Sequence, residues 1–136
     1  MHTYDVIITG GSYAGLSAAM SLGRALKQVL VLDSGLPCNR QTPHSHNFLT
    51  RDGETPAALA AIAKAQVQQY ATVHFKNAIV TGGAAVNDGF VLETGDGERF
   101  GAKRLLFATG VKDEMLPIKG FAESWGISVL HCPFCH

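Results

Sequence analysis

The chain has no excess of charge of either sign. Lysine plus arginine and aspartate plus glutamate each number 11 in 136 residues, so the formal net charge is zero. It has no basic run and no basic amphipathic stretch to follow a nucleic-acid backbone or an anionic bilayer, and neither partner is expected. No apolar run approaches the roughly 20 residues that cross a membrane. The opening residues Met1-His2-Thr3-Tyr4-Asp5 lack the basic start of a secretory signal, and Val6-Ile7-Ile8 is too short for its apolar part. A cytoplasmic protein is expected. Cysteine is also scarce, with three in the chain, too few for a disulfide-built scaffold. In a reducing compartment the spacing Cys132-x-x-Cys135 points to redox or metal chemistry instead. Cys38 stands apart and reads as an inert small residue.

The length suits one domain, residues 1–136, with enough surface to bury a core. Tyr4–Thr9 is a β-branched apolar run, as in a strand buried on both faces. Glycines at 10, 11 and 15 interrupt it, and Leu16, Ala19, Met20 and Gly23 then recur at helical spacing to about Lys27. Val29–Asp33 is a second buried strand, completing a βαβ unit. Residues 34–54 read as a long irregular loop, a length that tends to be functional. Thr55-Pro56 starts a helix, threonine as N-cap and proline at the first helical position, running to about Tyr70. Thr72–Phe75 is a short strand. Ile79–Val86, Gly89–Thr94 and Glu98–Phe100, separated by Asn-Asp-Gly and Gly-Asp-Gly turns, predict an antiparallel three-stranded meander. Arg104–Ala108 returns to a buried strand. From Val111 the chain reads as loop until Ser128–Leu130, a short strand delivering the cysteines.

Gly10-Gly11-Ser12-Tyr13-Ala14-Gly15 carries the dinucleotide spacing Gly-x-Gly-x-x-Gly with serine at the second glycine position. The first glycine permits the tight turn, and the last permits close packing of helix on strand. The middle position lets backbone approach a pyrophosphate at the helix N-terminus, where N–H groups converge. Serine is small and adds a hydroxyl donor. Asp33, ending the second strand, suits a carboxylate that accepts from ribose hydroxyls. The other reading is an ordinary βαβ turn with Asp33 capping a neighbour.

These residues, with Val31-Leu32-Asp33-Ser34-Gly35, Leu105-Leu106-Phe107-Ala108-Thr109-Gly110 and Cys132-Pro133-Phe134-Cys135, resemble the flavin half of the thioredoxin reductase family over the whole chain. The resemblance implies an α/β, three-layer Rossmann-like FAD-binding domain, a parallel sheet joined to an antiparallel three-stranded meander. It implies that Ser12, Tyr13 and Ala14, cradled by Gly10, Gly11 and Gly15, hold the FAD pyrophosphate. Asp33 and Ser34 would meet the adenosine ribose, and Val80 the adenine. Arg40, Gln41 and Asn47 would line the flavin ring, with Thr109 and Gly110 at its side. Cys135 would lie against the isoalloxazine, and Cys132 would face the substrate. From the residues themselves, His131 and His136 flank the pair and could supply positive charge or shuttle a proton, with His136 read as the acid or base. The loop Pro37–His44 and the ending His131–His136 are most similar to a divergent branch that includes dithiol oxidases of small cyclic disulfides. The usual family member has aspartate after the second cysteine, where this chain has His136. The implied partner is therefore a small dithiol or disulfide, or a thioredoxin-like protein, and the implied assembly is a homodimer.

The cysteine pair admits other chemistry. Cys132-x-x-Cys135-His136 matches the c-type haem attachment motif. Zinc is a third possibility, with His131 and His136 adjoining and His44-Ser45-His46 elsewhere, although structural zinc usually takes two separated ligand pairs. No second Gly-x-Gly-x-x-Gly opens a helix: Gly82-Gly83-Ala84 lies in the meander. An NADPH domain is therefore expected only in a full-length family context. The chain reads as the N-terminal part of such a protein, or as a short flavoprotein completed by a partner. On its own it is expected to bind FAD weakly, to turn over NADPH poorly and to self-associate through exposed sheet edges.

Overall fold

The computed structural model describes residues 2–132. The chain packs as two compact units: the N-terminal stretch to Leu36 with Ala63–Thr109, and Pro37–Ile62 with the segment from Gly110 onward. The elements in chain order are β1 (Thr3–Thr9), α1 (Tyr13–Arg24), β2 (Val29–Asp33), α2 (Pro56–Val67), β3 (Val73–Asn77), β4 (Val80–Val86), β5 (Gly89–Thr94), β6 (Arg99–Phe107) and α3 (Phe121–Ser124).

The first unit is built on one mixed sheet with strand order β3-β2-β1-β6-β5-β4. β1 runs parallel to β2 and β6, β2 runs parallel to β3, and β5 is antiparallel to both β4 and β6. The continuous apolar runs of β1 and β2 are explained by burial on both faces. On one face Val6, Ile8, Val29, Val31 and Val73 pack against Leu16 and Ala19 of α1 and Val67 of α2. On the other, Tyr4, Ile7, Leu30 and Leu32 pack against Leu92 and Ala102, with Val80 and Phe100 at the margin. The layers are thus helices, parallel strands and meander, as the α/β reading predicts.

A clasp holds the meander over that second face. Lys76 of β3 reaches the β5–β6 turn, with its Nζ 3.3 Å from Asp96 Oδ2 and 3.1 Å from Glu98 Oε1. The same ammonium stands 5.9 Å from the Phe100 ring centroid. β3 and this turn are far apart in strand order, so the sheet curls to bring them together. The Glu98 and Asp96 carboxylates raise the Lys76 pKa. The buried Thr94 hydroxyl, 2.5 Å from Asp96 Oδ1, and then other bonds and Lys76, lower that of Asp96.

Several predicted boundaries differ. The strands expected at Glu98–Phe100 and Arg104–Ala108 are one strand, β6. Gly101 and Ala102 pair with β1 on one side and β5 on the other, so no gap opens in the ladder. α1 stops at Arg24 instead of Lys27. Leu26 takes a left-handed φ of 56°, and its N–H and that of Lys27 turn back to the Gly23 and Leu22 carbonyls, each at 3.0 Å. α2 ends at Val67, where the chain turns and the Tyr70 N–H reaches the Val67 carbonyl at 3.1 Å. The expected strand at Ser128–Leu130 is a turn following α3. The Ser124 carbonyl accepts from the N–H groups of Ile127, Ser128 and Val129, which curls the backbone, leaving one isolated Trp125–Val129 bridge.

Within the second unit, the loop 37–54 is more ordered than its composition suggests. Ser45 and Gly53 close a narrow excursion, with Ser45 N–H 2.7 Å from Glu54 O and Gly53 N–H 2.8 Å from Ser45 O. Thr55 caps α2 as predicted, its Oγ1 accepting from the Ala58 N–H at 3.2 Å.

Candidate functional site

The turn from β1 into α1 is made by close approaches that only glycine allows. Gly10 has a φ of 107°, and a Cβ there would strike the Ala108 carbonyl oxygen. A Cβ on Gly15 would strike the Gly10 carbonyl oxygen, which fixes α1 tightly over the end of β1. A Cβ on Gly11 would stand 2.8 Å from the Asp33 side chain. Asp33 Oδ1 instead accepts the Gly11 N–H at 3.1 Å. The carboxylate therefore braces the turn through one oxygen, and its Oδ2 retains its accepting capacity. This is the capping reading of Asp33: it braces the Gly11 N–H.

Ser12 is the N-cap of α1, extended at φ −89°, and its side chain makes no capping bond. The first turn carries no acidic residue. No residue of the first turn itself sets a carboxylate against the partial positive charge of the helix end, and Tyr13 and Ala14 stand at an end suited to an anion. The N–H of Ala108 bonds the Thr9 carbonyl at 2.8 Å, bringing Thr109 beside the same turn. Gly10, Gly11, Ser12, Tyr13, Ala14, Gly15, Asp33 and Thr109 are therefore gathered at the C-terminal ends of β1, β2 and β6. A dinucleotide fits this cradle: its glycines are enforced by backbone clashes, and its helix end carries no acid. Ser34 follows exposed on the chain, while Val80 opens β4, paired with Thr94 and half-buried against the second core cluster.

In the second unit, Arg40 is exposed and its Nη1 donates to the Pro37 carbonyl at 2.9 Å. Gln41 is exposed, and the neighbouring Thr42 is buried. Asn47 is exposed in the left-handed region at φ 64°. Its N–H donates to Asp52 Oδ1 at 2.7 Å, and the His46 ring lies 3.5 Å from that same oxygen. The sequence reading missed this Asp52 brace, whose signal was the asparagine-to-aspartate spacing of an excursion closed on itself. His44 Nδ1 lies 3.0 Å from the Gly53 carbonyl. Gly110 is left-handed at φ 66°.

Cys132 is half-buried and Cys38 exposed. Cys135 and His136 lie outside the described residues. Ahead of Cys132, Trp125 stacks on His131, a contact the sequence reading also missed. Among the described residues no three His, Cys, Asp or Glu side chains come together as a metal site. No helix among them is long and apolar enough to cross a membrane.

Strand order and glycine cradle define a Rossmann-like dinucleotide-binding α/β fold. Residues 4–133 match the pyridine nucleotide-disulphide oxidoreductase family. The chain belongs to this family, and within it is thioredoxin reductase-like. It is 35% identical to a thioredoxin reductase of Leptosphaeria maculans over 98% of its own length and 42% of the relative's. A thioredoxin reductase of Claviceps purpurea is 37% identical over 96% of this chain and 42% of that one. Among solved structures, an oxidoreductase from Agrobacterium tumefaciens superposes with a TM-score of 0.93 at 47% identity, covering 100% of this chain and 46% of the other. The chain thus spans less than half the length of these relatives.

Proposed function

We propose that the chain is the FAD-binding and dithiol-bearing part of a flavin-dependent oxidoreductase. Electrons would pass between flavin and a small disulfide or thioredoxin-like partner through Cys132 and Cys135. The observation that carries this reading is the clash-enforced glycine cradle with Asp33, in a thioredoxin reductase-like chain that also holds a Cys-x-x-Cys pair. FAD when bound supplies a two-electron carrier fed by NADPH in full-length relatives of this type.

The chain's own residues divide the remaining work. The α1 N-terminus with Ser12, Tyr13 and Ala14 binds the pyrophosphate, Asp33 and Ser34 accept from the ribose, and Val80 covers the adenine. Arg40, Gln41, Asn47, Thr109 and Gly110 border the flavin ring. The Cys132 thiolate attacks one sulfur of the substrate disulfide and expels the other as a thiolate, which takes a proton from His136. The Cys135 thiolate then attacks Cys132, closing the protein disulfide and releasing the second substrate thiol. In sum, one dithiol is oxidised and one disulfide is reduced; an oxidase runs the same exchange in reverse. A reducing cytoplasm suits such a pair, and a homodimer is the assembly this family type suggests.

The test is to load the protein with FAD, reduce it anaerobically with one equivalent of dithionite, and mix it with a small disulfide. The flavin's visible absorption is expected to return in wild type and to stay bleached in Cys135→Ser and Cys132→Ser. Equal recovery in both variants would overturn the thiol route. A Soret band or bound zinc in the purified protein would overturn the flavin reading itself.

A further inference from the structure

We propose that Trp125 is a positioning residue for the thiol pair: its indole face holds the His131 imidazole beside Cys132 and favours the thiolate of that cysteine. The inference rests on the dithiol reading above.

α3 places Phe121 and Trp125 one helical turn apart, with ring centroids at 5.6 Å. Trp125 in turn stacks on His131, centroids 5.4 Å and planes 11° apart. The chain makes this return by turning at Gly126, left-handed at φ 77°, whose N–H donates to the Val129 carbonyl at 3.0 Å. Gly126 is buried, and a Cβ there would stand 3.2 Å from the buried Thr42 Oγ1. The stack is thus held by a hydrogen-bonded turn packed on the 37–42 loop.

Packing alone does not call for histidine at this position, since an apolar or phenolic side chain would cover the indole equally well. Between Trp125 and Cys132 the chain runs Gly-Ile-Ser-Val-Leu-His, so His131 is the one side chain there able to carry charge. The other described charges from Gly110 onward are Lys112, Asp113, Glu114, Lys119 and Glu123, all exposed except the half-buried Asp113. On the packed loop, Arg40 is engaged with the Pro37 carbonyl. The negative face of an indole attracts an imidazolium, and a cation adjoining a thiol lowers the thiol's pKa. An unstacked imidazole on an exposed segment would share its time among rotamers and act less on the sulfur.

The test is the pH profile of iodoacetamide alkylation in a Cys38→Ser, Cys135→Ser background, where Cys132 is the remaining thiol. Each event forms one thioether and releases one iodide, and mass spectrometry counts it. Trp125→Ala is expected to raise the profile midpoint by about half a pH unit, while Trp125→Phe keeps a π face and stays near the parent. His131→Asn should shift the profile as Trp125→Ala does, with no further shift in the double variant. Trp125→Leu retains apolar cover without a π face, so the comparison survives if the alanine variant fails to fold. An unchanged midpoint in Trp125→Leu, or a shift that adds to that of His131→Asn, overturns the role of Trp125. The assay needs no flavin: loss of flavin-linked disulfide reduction with these shifts intact would sink the dithiol reading alone.

Discussion

Gly15 decides more than any other single position in the first unit. The atom that a side chain would strike is the backbone oxygen of Gly10, which cannot swing away as a flexible side chain would. Gly15→Ala is expected to destabilise by about 1–3 kcal/mol and to weaken FAD binding at least tenfold, read by flavin fluorescence titration. Asp33 separates two roles that the sequence left joined. Asp33→Asn keeps an oxygen for the Gly11 N–H, so the fold should hold while FAD affinity falls. Leu26 makes the opposite case, an ill-suited residue in a left-handed cap, with 79% of its surface exposed. Leu26→Gly is expected to stabilise by about 1 kcal/mol, raising the urea midpoint without changing the slope. The glycine spacing was legible because backbone collisions force it. The Trp125–His131 stack was not, because partners on either side of a turn carry no periodic signal.

At the scale of elements, the clasp between β3 and the β5–β6 turn sets an acid limit. The pKa of Asp96 is held below its ordinary 3.8, first by the Thr94 hydroxyl, and that of Asp5 likewise by Lys103. Their stabilisation is complete above the unfolded value and is lost as pH falls through the lowered folded value. The pKa of Lys76 is raised above 10.5, so its contribution is complete below that value and lost as pH rises through the folded one. A plateau in stability is expected between these limits. Thr94→Val should move the acid edge of the circular-dichroism transition to higher pH. Helix starts were readable from sequence and helix ends less so: Thr55-Pro56 announces α2 through local bonding, whereas α1 ends by a left-handed leucine that composition does not reveal. The single β6 strand was read as two because Gly101-Ala102 resembles a break until both neighbours are in place.

At the scale of the whole molecule, ligand linkage gives the broadest test. FAD that binds the folded chain stabilises it by about 2.7 kcal/mol at a hundredfold excess over Kd. The thermal midpoint should therefore climb with FAD concentration in wild type and climb less at the same concentrations in Gly15→Ala. A midpoint indifferent to FAD in the intact protein would contradict the cofactor assignment.

The sequence by itself determined the strands of the sheet core, the nucleotide turn and the family. Each is written in short-range rules: apolar runs for strands buried on both faces, glycine where a Cβ has no room, and a carboxylate at the end of the second strand. Tertiary structure alone decided that β6 is continuous, that Lys76 clasps the meander, that Asp33 braces Gly11, and that His131 lies on Trp125. Those contacts join residues from separate elements or across a turn, and their geometry exists only once the chain has folded and brought both partners together.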